Sequence, residues 1–376
     1  MKPSGNKNIF FRGIAYPLSL LYGAVIGVRN LLFDWNVLKQ QGFPFPVISV
    51  GNITVGGTGK TPMVEYLAGL LKDQYKVGIL SRGYGRQSSG FVMAQPGMGT
   101  SVLGDELFQI YRKFPDTFVA ACADRNKGMK ALDSAAGGLD MALLDDAYQH
   151  RYIARDVNIL LIDYHRPLDE DALLPLGNLR EPESEKCRAD VIVVTKCPAN
   201  ISPLDQRLLK KHIAPRPYQS IFFTSFSYGA LKPVFPHSIV LTPDFSEERN
   251  SCKAILLSGI ANPEPFERTL QAMFPKNEIM RYADHYGYRG KDIAEIEKRL
   301  PKTETSSGIV ITTEKDAVKI RELQSRISDP QSWFYVPVAF AFVNEGDKEL
   351  FDQKILGYVQ KNQRNNLLHR KRSPGI

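Results

Sequence analysis

Residues 48–62 read Ile48-Ser49-Val50-Gly51-Asn52-Ile53-Thr54-Val55-Gly56-Gly57-Thr58-Gly59-Lys60-Thr61-Pro62. An apolar run ends in a glycine-rich turn, and a Lys-Thr pair opens a segment with apolar residues at Met63, Leu67, Leu70 and Leu71. That order suits a phosphate cradle. Glycines let backbone N–H groups converge on an anion, and a helix N-terminus adds partial positive charge. Thr54, Val55, Gly56, Gly57, Thr58 and Gly59 would form the loop, Lys60 would reach the β- and γ-phosphates, and Thr61 would ligate Mg²⁺. The pattern G-x-x-x-x-G-K-[ST] wants glycine where this chain has Thr54, with Gly56 and Gly57 inside the loop instead. The stretch predicts a nucleoside triphosphate site. A glycine turn that merely happens to end in Lys-Thr is the alternative.

Working outward, apolar runs recur near 46–50, 77–81, 117–121, 141–144, 158–162 and 190–195, with amphipathic stretches such as 60–72 and 106–114 between them. Apolar runs without polar alternation predict a parallel sheet covered by helices on both faces. A second set lies at 253–258, 278–282, 308–312 and 333–336, with helical patterns at 265–273 and 291–300. The stretch 218–235 alternates around a Tyr-Gly turn and reads as a hairpin or extended linker. The expected fold is therefore α/β. It comprises a P-loop NTPase-like parallel-sheet domain over 39–220, a β-hairpin-type linker over 221–250 and a smaller α/β domain over 251–345. A membrane-associated helix over 1–38 precedes these, and a C-terminal helix with a basic tail occupies 346–376.

The four cysteines are scattered without C-x-x-C spacing, which points to a reducing compartment and no zinc site. The formal charge is +8. Its excess gathers near the ends, at Lys2, Lys7, Arg12, Arg29 and Lys39, and again at Arg364, His369, Arg370, Lys371 and Arg372. No basic stripe interleaved with aromatics lies between, so nucleic acid is not the expected partner. Residues 14–33 carry only Arg29 as a charge and are long enough to span a bilayer. A single span with a cytoplasmic nucleotide site would put Lys2, Lys7 and Arg12 outside, against the positive-inside tendency. A helix lying in the membrane interface satisfies both constraints, and a buried core helix is the plain alternative. The expectation is a monotopic protein on the cytoplasmic face.

Several polar groups are candidates for chemistry. Asp145 and Asp146, with Gln149 and His150 just after, end a buried run where a metal-holding acid of a P-loop fold would stand. The sequence does not choose between the two aspartates for metal contact. Asp105 opens a helix-like stretch and is either an N-cap or the base that accepts a proton from an attacking hydroxyl. Arg180 and Glu181 lie in a Gly/Pro-rich loop. They are either a surface ion pair or, respectively, a cation for the transferring phosphoryl group and a member of the metal shell. His285, in Asp284-His285-Tyr286, is either solvated or poised to share a proton with Asp105 across a cleft. Arg82-Gly83-Tyr84-Gly85-Arg86 suits an anionic substrate or a solvated turn equally. Asp163 has no such neighbours and reads as structural.

Together these segments resemble the tetraacyldisaccharide 4′-kinase (lipid A 4′-kinase) family of Gram-negative bacteria. The resemblance runs from the N-terminal apolar helix to about residue 345. It rests on the loop through Pro62, Ser81-Arg82-Gly83-Tyr84-Gly85, Gly104-Asp105-Glu106, Asp145-Asp146 with Gln149-His150, and Leu179-Arg180-Glu181. It continues through Gly259-Ile260-Ala261-Asn262-Pro263, Asp284-His285-Tyr286 and Thr312-Thr313-Glu314-Lys315-Asp316. Where the family has Asp-Asp-Gly-Phe-Gln-His, this chain has Ala147-Tyr148 in place of Gly-Phe. The resemblance implies transfer of the γ-phosphate of ATP to the 4′-hydroxyl of an acylated glucosamine disaccharide 1-phosphate, a lipid at the inner-membrane surface. No obligate protein partner is expected. It implies Asp105, assisted by His285, as base, with Asp145, Asp146 and Arg180 in the catalytic shell. Thr61, Gln149, Glu181 and Asp145 are the implied Mg²⁺ shell.

Overall fold

The computed structural model describes residues 9–235, 252–301 and 308–372, with side chains described over 13–235, 252–301 and 308–362. Lys2, Lys7, the part of the expected linker beyond residue 235, and the side chains of Arg12, Arg364, His369, Arg370, Lys371 and Arg372 lie outside these ranges. Along the chain the strands are β1 (Val47–Gly51), β2 (Val77–Ser81), β3 (Val92–Met93), β4 (Phe118–Ala121) and β5 (Met141–Asp145). Next come β6 (Val157–Asp163), β7 (Val191–Thr195), β8 (Ser220–Tyr228), β9 (Lys232–Pro233) and β10 (Lys253–Ser258). The last are β11 (Asn277–Arg281), β12 (Gly308–Thr313), β13 (Trp333–Val336) and β14 (Val338–Phe342).

They build two sheets, one ordered β14-β8-β7-β6-β1-β5-β2-β4-β3 and the other β11-β10-β12-β13-β9. From β8 through β4 the large sheet is parallel, with β14 and β3 antiparallel at its edges. β1, β2, β5 and β7 are buried at every residue. Burial on both faces explains why these runs show no polar alternation. One face packs on the helices Lys60–Leu71 and Asp105–Lys113 and on Phe351, Ile355 and Val359 of the C-terminal helix. The other face carries two further apolar clusters, around Leu132 and around Ile192.

The stretch 218–235 does not close on itself as a hairpin. β8 pairs with β7 and β14, whereas β9 pairs with β13 in the other sheet. Four consecutive residues of β8 (Phe222, Phe223, Thr224 and Ser225) are buried, so this strand is worth more inside the large sheet than in an isolated ribbon. The chain also returns to the large sheet at β14, before the boundary expected at 345. The two crossings touch, Gly229 N–H donating to Pro337 O at 3.0 Å.

The helix Ile9–Asp34 is fastened along one face only. Ser19 Oγ donates to Leu173 O and Tyr22 Oη to Arg180 O, both at 2.8 Å. Arg29 reaches Glu181 at 2.8 Å, and Arg151 bonds both Asn30 O and Asp34. These anchors recur at helical spacing. On another face Ile14, Leu18, Leu21, Val25 and Val28 are all about half exposed or more, the highest at 62%. Gly13–Asp34 is long and apolar enough to cross a membrane by length and composition. The plain alternative of a buried core helix does not hold, because only its anchoring face is covered.

Candidate active site

The carboxyl ends of β1 and β5 lie side by side, Val50 aligned with Asp145, so the glycine-rich loop and the paired aspartates emerge at one place. The loop's left-handed positions are Gly56 (φ 95°) and Gly59 (φ 87°). Thr54 instead forms an extended bridge to Leu179 and is buried, so no glycine is needed there. Asn52 Nδ2 donates to Thr58 Oγ1 at 2.8 Å, Thr195 Oγ1 to Thr58 O at 2.9 Å, and Arg166 to Val55 O at 3.0 Å. Lys196 bonds Gly57 O and pairs with Asp163 at 2.6 Å. Asp163 therefore braces the loop from beneath, as a structural residue would, and Lys196 is its partner.

Lys60 and Thr61 begin the helix that follows Gly59. Lys60 Nζ stands 3.8 Å from Asp146, which Arg180 also bonds at 3.1 Å. Asp146 adopts φ 45°, a left-handed turn that separates its side chain from that of Asp145. Burial pushes Asp146 up, but Lys60 and Arg180 outweigh it and hold the carboxyl below its ordinary value. Asp145 goes the other way. Burial, Glu106 and Asp146 raise it, against Lys60 and Ser81. Its Oδ1 is buried without a hydrogen-bond partner. An orphaned carboxylate oxygen crowded by two other acids fits a divalent cation. Among the described residues no three His, Cys, Asp or Glu side chains form a preformed cage.

Glu181 does not join that group. Its side chain is fully buried, with Arg29 on Oε1 and Arg188 on Oε2. A cation there would have to displace a guanidinium. Gln149 spans the gap, its amide donating to Asn52 O at 2.7 Å and to Glu181 at 3.3 Å. Of the four residues in the expected Mg²⁺ shell, Gln149 and Glu181 thus stand as struts between the N-terminal helix and the loop. Neither is Glu181 a partner for Arg180, whose guanidinium turns to Asp146. The Ala147-Tyr148 pair is accommodated by complete burial, with Tyr148 Oη donating to Glu185 O at 2.7 Å.

Asp105 is the first residue of its helix, following Gly104 (φ 84°), and no side chain caps that end. Its buried carboxylate meets His285 Nδ1 at 3.0 Å. His285, at φ 58°, follows β11 in the small sheet, so this contact joins the two sheets. Lys315 and Lys319, on the helix Glu314–Arg321, each approach Asp105 to 3.9 Å. Burial pushes Asp105 up, yet His285 and the two lysines together lower it. The bond to Asp105 raises His285 in spite of burial and Lys315. Glu106 also lies close enough to Asp145 to raise it, which ties this pair to the loop.

One group beside these had no candidate role in the sequence, Arg125, and it neighbours two that did, His150 and Arg82. Arg125 is fully buried, donating to Cys122 O at 2.7 Å and Asp145 O at 3.2 Å. Burial lowers it to about 10. His150 is pushed down to about 4 by burial and by Arg125, Arg82 and Arg155, and its Nε2 is buried without a partner. Arg82 is exposed beside this cluster, whereas Arg86 is spent on Ala121 O and Gly90 O. A charged residue just before a helix-like pattern was the available signal for Arg125, and it is a weak one.

Three comparisons bear on this arrangement. The family model LpxK, described as Tetraacyldisaccharide-1-P 4'-kinase, matches residues 12–359. The Tetraacyldisaccharide 4'-kinase of Phocaeicola vulgatus is 43% identical over 354 residues, covering 93% of this chain and 96% of that protein. The one from Flavobacterium psychrophilum is 41% identical over 358 residues, covering 95% of this chain and 99% of that protein. A crystal structure of LpxK from Aquifex aeolicus in complex with ATP aligns with a TM-score of 0.70 at 30% identity, covering 93% of this chain and 99% of that one.

Proposed function

The chain belongs to the tetraacyldisaccharide-1-P 4′-kinase family, and we propose that it moves the γ-phosphate of ATP to the 4′-hydroxyl of a tetraacyldisaccharide 1-phosphate, the lipid A precursor. The observation that carries this reading is the Asp105–His285 contact at 3.0 Å between the two sheets. A P-loop that only hydrolyses nucleotide needs no second carboxylate–imidazole pair beside it.

The loop's N–H groups and Lys60 bind the triphosphate. Asp105 takes the proton of the 4′-hydroxyl as that oxygen bonds to the γ-phosphorus, and the bond to the β–γ bridging oxygen breaks to release ADP. The proton stays on the Asp105 carboxyl until solvent removes it, and His285 orients that carboxylate. Arg180, paired with Asp146 in the free protein, is placed to offset charge on the transferring group. Thr61 and Asp145 would hold Mg²⁺, which supplies charge neutralisation at the phosphate oxygens when bound. The exposed guanidinium of Arg82 suits an anionic acceptor.

The half-exposed apolar face of the N-terminal helix lies in the cytoplasmic leaflet of the inner membrane, where the acceptor lipid resides. Purified full-length protein with radiolabelled ATP, Mg²⁺ and the disaccharide lipid in mixed micelles should give a product one phosphate heavier. Hydrolysis without lipid phosphorylation, where the Phocaeicola vulgatus relative is active, would overturn the proposal.

A further inference from the structure

Lys315 has no role in the chemistry above, yet it occupies the busiest electrostatic position at the junction of the sheets. Its Nζ stands 3.1 Å from His285 Nε2, 3.3 Å from Glu106, 3.5 Å from Asp284 and 3.9 Å from Asp105. We propose that Lys315 is a positioning residue: its ammonium donates to His285 Nε2 and fixes the imidazole in the tautomer whose Nδ1–H points at Asp105. The proposal rests on the reading of Asp105 as base.

Donor and acceptor rules force the direction of the chain of bonds. An ammonium has three donors and no acceptor, so a nitrogen 3.1 Å away must offer a lone pair. His285 then carries its one proton on Nδ1, where Asp105 accepts it at 3.0 Å. An imidazolium would set two donors against each other at Nε2. Three carboxylates surround Lys315, and although burial draws its pKa down, Glu106, Asp105 and Asp284 raise it overall, so the ammonium persists.

The groups facing His285 come from every neighbouring element. Asp105 and Glu106 belong to the helix Asp105–Lys113, Asp284 to its own loop, and Lys315 to the helix Glu314–Arg321, which also brings Lys319 to Asp105. Tyr84, from the loop after β2, sets its ring 4.9 Å from the imidazole, tilted by 58°. Two carboxylates favour the imidazolium and Lys315 opposes it. That opposition matters to a base. A carboxylate ion-paired to a full imidazolium is a weaker proton acceptor than one receiving a neutral N–H. Lys315 therefore keeps Asp105 basic while holding the ring in place.

The test uses full-length protein with isotope-labelled histidine, in which ring nitrogen shifts report tautomer and titration, and His285→Asn assigns the signal. Above its midpoint, wild-type His285 should be the Nδ1–H tautomer. In Lys315→Met the midpoint should rise by about one pH unit, the usual effect of removing a like charge at this range. The acid limb of kcat/KM should rise with it, while KM for ATP stays within about twofold. Lys315→Arg, which keeps a charged donor, should restore the midpoint. If Lys315→Met does not fold, Lys315→Gln supplies a neutral donor and should keep the tautomer while raising the midpoint. An unmoved midpoint, or an Nε2–H tautomer in the wild type, overturns the proposal and leaves Lys315 as a clamp between sheets. Full activity in Asp105→Ala would instead sink the base reading, and the resting-state spectra would still decide Lys315.

Discussion

The carboxylate of Asp105 and the imidazole of His285 meet at 3.0 Å although 180 residues separate them. Asp105 stands on a helix of the nine-stranded sheet and His285 on a loop of the five-stranded one. The pair exists only because helices Asp105–Lys113 and Glu314–Arg321 pack together, with Lys113 bridging Glu65 at 2.6 Å and Glu314 at 3.4 Å. The contact thus lies at a junction of the two sheets, with one of its two groups on each side.

Replacing Asp105 by Ala should lower kcat by roughly 10²–10⁴, the usual worth of a general base. ATP affinity should change little, because the loop and Lys60 are untouched. The check is steady-state lipid phosphorylation beside equilibrium nucleotide binding. A near-normal kcat would return Asp105 to the role of an ordinary first-turn acid.

The pair also makes stability depend on pH in a defined direction. Asp105 is held below its ordinary value, so its contribution is present above the unfolded value of about 3.9 and is lost as pH falls through the lower folded one. His285 is raised, so its contribution is complete below about 6.5 and disappears as pH rises through the higher folded value. Thermal melts of wild type and His285→Asn should therefore differ most between about pH 4 and 6.5, and converge toward alkaline pH. A gap that widens toward pH 9 would contradict the assignment.

The exposed line of Ile14, Leu18, Leu21, Val25 and Val28 predicts vesicle binding. Changing Leu21, Val25 and Val28 to Gln removes three apolar side chains worth about 1.5–3 kcal/mol each when fully buried. Cosedimentation with anionic vesicles should fall by roughly 10²-fold or more, while nucleotide binding in detergent is preserved. Equal partitioning of the triple variant would show that this face is not the one that enters the lipid.

The sequence made the nucleotide loop and the paired aspartates legible because both are local: a buried strand, a turn and a few polar residues in one window. The apolar runs likewise revealed a parallel sheet, since burial on both faces erases alternation. What stayed hidden depends on tertiary choice. β8 looked like half of a hairpin because its pattern does not say which neighbour it will take, and β14 joins it from more than 100 residues away. Arg125 and Lys315 looked like ordinary charged residues beside helices. Only packing reveals that one is sealed beneath Asp145 and the other bonded to His285. For Asp105 and His285 the residues alone leave a bland reading and a paired one open, and only the family resemblance chooses the pair.

Glu181 offers the sharpest separation between a strut and a metal ligand. Its carboxylate is completely buried, with Arg29 at 2.8 Å, Arg188 on the other oxygen and Gln149 at 3.3 Å. Gln149 in turn holds Asn52 O, and Asn52 holds Thr58, so the helix Ile9–Asp34 is hydrogen-bonded to the nucleotide loop through four side chains. Glu181→Ala would take the carboxylate from Arg29 and leave Arg188, which is only 11% exposed, with Glu185 alone at 2.7 Å, and removing one partner of a buried pair costs about 3–5 kcal/mol. The melting temperature should fall by several degrees with or without Mg²⁺. Glu181→Gln, which keeps the shape and one accepting oxygen, should recover part of the loss. A metal ligand would behave differently. The variant would melt normally in chelator and differ from wild type only when Mg²⁺ and nucleotide are added. Because both guanidinium groups already occupy the carboxylate, the first pattern is the expected one, and the comparison of melts with and without chelator decides it.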